Sequence, residues 1–457
     1  MKNTVKISDY INENFKEYAL YTLMNRGIPS FYDSLTNVQR LILLNAPLKS
    51  TKTLSLVGDV IKSGYHHGDS SLVNAINRLA RPFDCSEEIL IGDGFFGTQI
   101  NQDAASARYT SVYLNPKIDG VIKKYIFLNK SLDDGTFSYL NIDFPLGLLL
   151  PIVGIAVGYR TMILPRKFDD IKSFLEGSTK KVVPYFKGFS GKVERYENLE
   201  NSWILEGEVD FNDFDYSVHI KSLPPLMKYT SFLNKLNKLL ENFDFELTNS
   251  SSFVVDIFIR IKDIKKEDWY NLKERISKAT KIIFKESLVF IKGNQVLEYD
   301  SIELYLEDFK VKNEFLRRDE FRYNIEVCNK ELEFLTSKLI FLEWMIKNKI
   351  DKNGDFISED KIISFLKKNF KEEIITRLDN IKLRKLNNDE ILLTNQQILK
   401  YKSYLKKSTD LLNKQNEKLK NTSLKLHTKN KNGINLFEYD SLKEIDEIEV
   451  YIKEDEI

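Results

Sequence analysis

The sequence predicts an α+β protein built from several domains. Its 457 residues exceed what one hydrophobic core holds, because cores stop growing beyond about 250–300 residues. Apolar residues recur at helical spacing near the start, alternate with polar residues between 185 and 300, and repeat every seven residues beyond 321. The hydrophobic content of 42% is ordinary for a folded protein, and the net charge of +1 lacks the basic excess typical of nucleic-acid-binding domains.

The first part of the chain is predicted to be helical. Between residues 8 and 50 the apolar side chains follow a helical period, and Pro29 ends the first run before Val38 begins another. The segment Ser55–Lys62 follows these helices, with Gly64 after it. This order is compatible with a helix–turn–helix unit of the winged-helix type, in which one helix approaches DNA.

Residues 145–165 combine an apolar run with several glycines and prolines, and two interpretations of them are open. The pattern alone favours a buried, parallel-type strand. The other interpretation is a tight, glycine-supported loop that presents one apolar side chain, Ile155. The run Leu146–Val157 is too short and too interrupted to span a bilayer.

Residues 185–300 are predicted to be rich in strands. Trp203–Asp210 and Phe253–Ile261 alternate apolar and polar residues, and Lys285–Lys292 adds a short apolar run. This pattern suits a mixed α/β domain.

Two long helical arms are predicted beyond residue 320. The first has a coiled-coil seam with alternating spacings of four and three residues, formed by Phe321, Ile325, Cys328, Leu332, Leu335, Leu339, Leu342 and Ile346. The second has apolar residues at intervals of seven, namely Ile391, Ile398, Leu405, Leu412 and Leu419. We expect the arms to fold back as an antiparallel hairpin with a small helical tip. The alternative is a helical bundle that packs on its own domain.

Sequence features of targeting and metal binding are weak. Residues 1–6 lack the apolar stretch of a signal peptide, and Cys85 and Cys328 lie too far apart to suggest a disulfide framework, so we expect a cytoplasmic protein without a membrane segment. The segment 351–355 resembles the start of a calcium loop, but Phe356 and Ile362 occupy the positions that require Gly and Glu. We therefore expect no metal site in this chain.

Tyr109 is the candidate catalytic residue. A phenol with a pKa near ~10 is a poor nucleophile until neighbouring cations or a metal favour the phenolate, and Arg108 is the adjacent cation. The chain has 22 tyrosines, however, and most tyrosines serve packing or interfaces. The role of Tyr109 therefore has to be inferred from the order of the motifs around it.

The order of motifs resembles the cleavage subunit of type IIA DNA topoisomerases, which includes the gyrase A and ParC subunits, and most closely the medium subunit of T-even-type phage topoisomerases. The resemblance runs from about Tyr18 to near Lys420. Five segments match in order, and together they are far more specific than any one alone. They are Tyr18–Arg40 (with Arg26-Gly27-Ile28-Pro29), Val57–Ile61, Tyr65–Ser70, Gly92–Gly97 and Ala104–Thr110.

This resemblance implies roles for individual residues. Tyr109 would attack the scissile phosphate, Arg108 would stabilise the charge of the transition state, and His67 would hydrogen-bond the phosphate or the attacking oxygen. Further residues would contact DNA, and among them Ile155 would be the apolar wedge that enters between base steps and kinks the duplex. The expected DNA-contacting set is Arg26, Arg40, Lys62, His66, Ser70 and Ile155.

The resemblance also implies a domain plan and partners. A winged-helix DNA-cleavage domain would cover residues 1–144, an α/β tower domain 145–305, a long antiparallel coiled coil with a helical dimerisation gate 306–420, and an acidic tail 421–457. The chain would bind double-stranded DNA, form a homodimer through this exit gate, and work with a large subunit that carries the ATPase and Toprim domains. ATP and the ligands of Mg²⁺ would then belong mainly to that subunit, in the cytoplasm of a bacterial host if the chain is phage-encoded.

The function implied is a transient double-strand break made through 5′-phosphotyrosyl links, for relaxation or decatenation by strand passage. Some family residues are replaced here: Ser34–Asn37 stands for Gly-x-Lys-Pro, no proline separates His66 from His67, and Pro151-Ile152 stands for Asn-Gly. A non-catalytic DNA-architectural scaffold is the main alternative. A tyrosine recombinase is disfavoured, because neither histidine has an arginine three residues later.

Overall fold

The structure is a computed structural model that describes residues 22–23, 27–129, 138–156, 158–293, 295–348, 350, 357–379 and 388–420. These residues divide into two compact units, and the division lies between Lys312 and Asn313. The predicted domain boundaries at 144, 305 and 420 stay predictions.

The first part of the larger unit packs helices against a small antiparallel sheet. Three strands have the order β1-β3-β2, so the last strand lies between the other two. The elements in chain order are α1 (Asn37–Asn45), β1 (Thr51–Lys52), α2 (Thr53–Lys62), α3 (Asp69–Leu79), β2 (Leu90–Asp93), β3 (Ser111–Leu114) and α4 (Pro116–Lys123), followed by the 3₁₀ turns Ile126–Leu128 and Leu146–Leu149.

Local sequence signals explain where these helices begin. α1 opens with a capping box in which Thr36 and Gln39 each satisfy a backbone N–H of the other. α3 begins after Gly68 with Asp69 in its first turn, where a negative charge is favourable. Leu72 and Ile76 then bury the inner face of α3 in the core shared with α1 and α2.

The glycine-rich segment forms an exposed antiparallel hairpin of β4 (Ile152–Ala156) and β5 (Tyr159–Ile163). The expectation of a buried, parallel-type strand was therefore wrong. Ile152 is buried, whereas Val153 and Ile155 point to solvent, because successive side chains of a strand face opposite sides. Gly158 closes the turn with a φ of +76°, a conformation that glycine adopts without strain.

The strand-rich region is a mixed α/β arrangement, as the alternation predicts. One sheet has the order β10-β11-β9-β8 and packs helices α6 and α7 on one face, and a second sheet has the order β12-β7-β6. The elements are α5 (Phe168–Leu175), β6 (Lys192–Arg195), β7 (Ser202–Glu206), β8 (Val209–Asn212), β9 (Ser217–Ile220), α6 (Tyr229–Leu240), β10 (Asp244–Asn249), β11 (Ile257–Lys262), α7 (Lys266–Ala279), β12 (Lys281–Lys285), β13 (Leu288–Lys292) and β14 (Gln295–Tyr299).

A buried ion pair links the segment after β5 to a residue between β12 and β13. The Arg166 guanidinium donates to Glu286 at 2.7 Å, and it also donates to two backbone carbonyls. Glu286 accepts two more hydrogen bonds, from the Trp203 indole and the Leu164 amide, each at 2.7 Å. Both charges are almost fully buried, so this satisfied network replaces the hydration that they lose.

The smaller unit is a helical hairpin with a tip. Its helices are the larger part of α8 (Ile302–Asn348, which begins in the other unit), α9 (Glu359–Asn369), α10 (Glu372–Asp379) and α11 (Asn388–Lys420). Gln415 donates to Glu314 at 2.9 Å, and Lys338 pairs with Glu390 at 2.5 Å. These contacts join the beginning of one arm to the end of the other, so the two arms are antiparallel.

The residues of both heptad patterns lie on the inward face of this hairpin. Cys328, Leu335, Leu342 and Ile398 are buried, and the remaining positions of the two seams are half-buried. At the tip, the Trp344 ring stacks on Phe365 with centroids 4.1 Å apart. The segment 351–356, which contains the rejected calcium loop, lies outside the described residues.

None of the described helices is long and apolar enough to cross a membrane.

Candidate active site

Tyr109 lies at the end of the loop that joins β2 to β3. A turn closed by the Tyr109 amide donating to the Ser106 carbonyl at 2.8 Å directs the ring outward. Its side chain is 73% exposed, which is unusual for so large an apolar group. No described residue hydrogen-bonds the phenol oxygen. The oxygen is therefore accessible to a ligand from solution.

Two glycines shape this loop. Gly94 has a φ of +112° and packs against Thr110, and Gly97 has a φ of +93°. A Cβ atom at Gly97 would lie 2.9 Å from the Gln102 carbonyl oxygen, so a larger residue would force the loop open. The backbone conformation and the close packing of the loop thus explain why the motif contains glycine at these two positions.

The end of the Tyr109 loop is locked to the start of α2. The Thr53 amide donates to the Thr110 carbonyl at 3.1 Å, and the two threonine hydroxyls are 2.8 Å apart. Both threonines are fully buried. Tyr109 is therefore an exposed residue whose immediate neighbour is fixed in the core.

The middle of the loop is held from two further directions. The Arg81 guanidinium, just beyond α3, donates to the Gln102 carbonyl at 3.1 Å and pairs with Asp84 at the same distance. The Gln99 amide donates to the carbonyls of Leu223 and Pro224, each at 2.8 Å. The loop therefore joins the helical part of the unit to the strand-rich part.

The two histidines precede α3 in the turn Tyr65–Gly68. His67 is half-buried and meets the edge of the buried Tyr65 ring, with centroids 5.5 Å apart. His66 is exposed, and so is Ser70 in the first turn of α3. This places an imidazole and a hydroxyl on the surface at the amino-terminal end of α3.

The cations expected at the site differ in availability. Arg108 is exposed and has no acid within 4 Å among the described residues. Lys62 is exposed as well, with Asp59 at 3.7 Å, a pair that solvent screens strongly. Arg26 lies outside the described residues.

Arg40 is buried in the fold, which contradicts its expected contact with DNA. Its guanidinium is 3% exposed and donates to Asp33 at 2.9 Å and to the Leu35 carbonyl at 3.2 Å. Asp33 also accepts the Leu140 amide at 2.8 Å. Arg40 thus holds together the turn before α1, and a phosphate could reach it only by breaking this buried pair. We remove Arg40 from the DNA-contacting set.

Ile155 is 76% exposed on the β4–β5 hairpin, and Arg160 is its direct partner on the opposite strand. The backbone beneath is tightly packed, because Gly154 lies against the Gly27 carbonyl with no room for a Cβ atom. A branched apolar side chain is therefore presented to solvent by a fixed strand, as a wedge requires.

Sequence reasoning missed Lys52. It stands opposite Ser111 in the pairing of β1 with β3, close to Tyr109, and its side chain is exposed. The strand of two residues that carries it was too short to be recognised from alternation. The pairing of Thr53 with Thr110 could not be read from the sequence either, because it joins residues far apart in the chain.

The described residues contain no group of three or more His, Cys, Asp or Glu side chains that could hold a metal ion. The two cysteines are buried and free, and burial raises the pKa of the Cys85 thiol well above its ordinary value.

Comparison with known proteins gives one family. The family model that describes the A subunit of DNA gyrase and topoisomerase IV matches residues 26–427. The DNA topoisomerase medium subunit of Enterobacteria phage T4 is 28% identical over 258 residues, covering 53% of this chain and 57% of that protein. The DNA gyrase A protein of Borrelia hermsii is 30% identical over 180 residues, covering 36% of this chain and 22% of that protein.

The fold has a solved counterpart. The DNA-binding, cleavage and re-ligation domain of Plasmodium falciparum topoisomerase II aligns with a TM-score of 0.74 at 19% identity, covering 90% of this chain and 64% of that one. This chain therefore spans 57% of the length of the phage T4 subunit and 22% of the length of the Borrelia hermsii gyrase subunit. Since the family model covers most of the sequence, the chain belongs to the family of DNA gyrase and topoisomerase IV A subunits.

Proposed function

We propose that this chain is the DNA-cleaving and religating subunit of an ATP-dependent type II DNA topoisomerase. The observation that carries the proposal is the exposed Tyr109 next to Arg108, on a loop fastened to both parts of the unit. An accessible nucleophile on a rigid support is what attack on a bound phosphodiester requires. Membership of the gyrase and topoisomerase IV family supports the same function.

The proposed chemistry exchanges one phosphate ester for another. The Tyr109 oxygen attacks the scissile phosphorus and loses its proton, the bond from phosphorus to the deoxyribose 3′-oxygen breaks, and that oxygen leaves as a free 3′-hydroxyl. The 5′ end stays esterified to Tyr109. Because the ester link conserves the energy of the bond, the 3′-hydroxyl can attack in reverse and reseal the strand without another energy source.

The neighbouring residues have separate roles in this proposal. Arg108 stabilises the charge on the pentavalent phosphate, as guanidinium groups do in phosphoryl transfer. His67 donates a hydrogen bond to the phosphate or the attacking oxygen. His66, Ser70 and Lys62 contact the backbone near the cut, which their exposure allows.

The finer architecture belongs to the same proposal. The order of α1 to β3, with sheet order β1-β3-β2, suits a winged helix in which α3 is the recognition helix and the Tyr109 loop is the wing. Ile155 enters between base steps and bends the duplex. The antiparallel arms α8 and α11 act as a coiled coil whose tip is the dimerisation gate.

We further propose a homodimer that works with a large subunit in a bacterial cytoplasm. That subunit would supply the ATPase and the carboxylates that hold Mg²⁺, which would neutralise phosphate charge during cleavage. One cut by each protomer would open a double-strand gap for passage of a second duplex.

Trapping of the covalent adduct tests the function. The chain is mixed with its large subunit, Mg²⁺ and end-labelled duplex, denatured during turnover, and analysed for labelled protein. We expect adduct with the wild type, and none with Tyr109→Phe although that variant still binds DNA. Tyr113→Phe, a nearby tyrosine on β3, is the matched control and should form adduct. DNA binding without an adduct would favour the architectural alternative.

A further inference from the structure

Lys52 lies on the outward face of the three-stranded sheet, at the base of the Tyr109 loop. It pairs with Ser111 across β1 and β3, and paired strands are about 4.8 Å apart. Ser111 follows Tyr109 by two residues, which span at most about 7 Å of chain. The backbones of Lys52 and Tyr109 are therefore within about 12 Å of each other, so the two side chains can reach the same phosphate group.

The register of this pairing is fixed by buried contacts. The neighbouring pair, Thr51 and Val112, directs Val112 into the core, so the alternation of the sheet directs Lys52 and Ser111 outward. The hydrogen bonds from Thr53 to Thr110 prevent slippage, because a shift by one residue would break both. Lys52 is thus held at a defined place while its long side chain stays free to move.

The charge of Lys52 is not neutralised by the protein. Across the described part of the chain no acid lies within 4 Å of its ammonium group. The carboxylate in the same row of the sheet belongs to Asp93, which pairs with Ser111 from the other side. Two strand spacings, or about 10 Å, separate its backbone from that of Lys52, and the two side chains form no ion pair in this part of the structure.

We propose that Lys52 binds a DNA backbone phosphate beside the bond that Tyr109 attacks and so holds the strand in register for cleavage. A lysine ammonium binds phosphate as a compact point charge, which suits a flexible side chain on a fixed strand. This inference rests on the proposed function for its geometry, since it places the cut at Tyr109. Lys52 contacts the strand itself and acts on DNA position.

The salt dependence of DNA binding tests this contact directly. Affinity for an intact duplex is measured at several salt concentrations in a Tyr109→Phe background, so that no covalent step contributes. Each phosphate contact adds about 0.9 to the slope of log affinity against log salt concentration, so Lys52→Gln should reduce that slope by about that amount. Lys52→Arg should restore it.

Lys49→Gln is the matched control. Lys49 is an exposed lysine of the same segment but lies outside the strand pairing. We expect it to leave the slope unchanged. An unchanged slope in Lys52→Gln, or an equal loss in both variants, would overturn the assignment. A thermal melt of each variant, expected to match the parent, excludes misfolding as the cause of a lower slope.

Adduct formation with the large subunit then separates this inference from the proposed function. With Tyr109 intact, Lys52→Gln should form at least about tenfold less adduct at low DNA concentration, equivalent to 1.4 kcal/mol, with recovery at high concentration. If the wild type itself forms no adduct, the cleavage function fails, while the salt slope still decides whether Lys52 contacts DNA.

Discussion

Gly154 lies so close to Gly27 that a Cβ atom on Gly154 would stand 1.7 Å from the Gly27 carbonyl oxygen. Backbone thus packs directly on backbone beneath the exposed hairpin. Gly154→Ala should separate the two segments and lower the free energy of unfolding by about 1–3 kcal/mol. Urea unfolding measures this. Gly120→Ala in helix α4, where a Cβ atom meets nothing within 4 Å, should instead add about 0.5–1 kcal/mol.

Ile155 should affect DNA geometry without affecting stability. Since its side chain is 76% exposed, Ile155→Ala should change the free energy of unfolding by less than about 0.5 kcal/mol. DNA bending, measured by energy transfer between dyes on the two duplex ends, should decrease because the wedge is lost. Ile152→Ala, buried on the other face of β4, should lower stability by about 2–5 kcal/mol. Unchanged bending in Ile155→Ala would exclude a wedge.

The buried network around Glu286 should be sensitive to loss of charge. Glu286→Gln leaves the Arg166 guanidinium unpaired in the core, so we expect a loss of about 3–5 kcal/mol in the free energy of unfolding. Glu274→Gln breaks an exposed pair with Lys278, which solvent screens, and should leave the free energy of unfolding almost unchanged. Equal effects of the two variants in chemical denaturation would contradict the structural role.

Lys312 should make stability depend on pH. Its ammonium donates to the Tyr32 and Ile142 carbonyls and lies 3.8 Å from the Phe309 ring centroid, and burial lowers the pKa of Lys312 from 10.5 to about 7. Between these pH values the unfolded chain binds more protons than the folded one, so the cost of burying the charged ammonium, which is complete below pH 7, disappears as pH rises toward 10.5.

The matching variant is Lys312→Met, which keeps the stem and removes the titrating group. The free energy of unfolding of the wild type, relative to this variant, should rise between pH 7 and 10 and be constant below pH 7. Denaturant midpoints at four or five pH values measure this. A parallel response of both proteins would show that Lys312 keeps an ordinary pKa.

Two substitutions of Ser34 should distinguish the stability cost of backbone strain from that of a lost hydrogen bond. It adopts a φ of +59°, and its buried hydroxyl lies 2.6 Å from the Tyr305 hydroxyl. Ser34→Ala loses the hydrogen bond and keeps the strain, so it should lower stability by about 1–3 kcal/mol. Ser34→Gly loses the same bond but relieves about 1 kcal/mol of strain. In thermal denaturation, the alanine variant should therefore melt first.

The sequence predicted features that depend on local pattern. Helix α1 and the inward faces of both long arms follow from apolar spacing, and the strand-rich region follows from alternation. The motif resemblance identified Tyr109, and the structure gives it the exposure that its proposed role needs. At Ser34 the sequence showed only that a family glycine is replaced. The structure shows that the serine adopts a positive φ, the left-handed conformation that favours glycine.

The features that were missed depend on contacts between distant residues. Arg40 looks like any cation in a basic motif, and only the fold reveals that Asp33 buries it. The apolar run around Ile155 has the composition of a core strand. Composition alone does not show that only one face of this strand is buried, with Gly154 packed against Gly27. Lys52 is placed near Tyr109 by the pairing of β1 with β3, and β1 has only two residues.

The two hydrogen bonds from Gln99 to the Leu223–Pro224 turn have a mechanical consequence. They fasten the nucleophile loop to that turn. A DNA end esterified to Tyr109 would accordingly be carried along by the strand-rich platform rather than swing on a flexible tether. In the proposed homodimer, widening of the gap between cut ends would then require whole protomers to separate, so that each severed end remains aligned for resealing when they return.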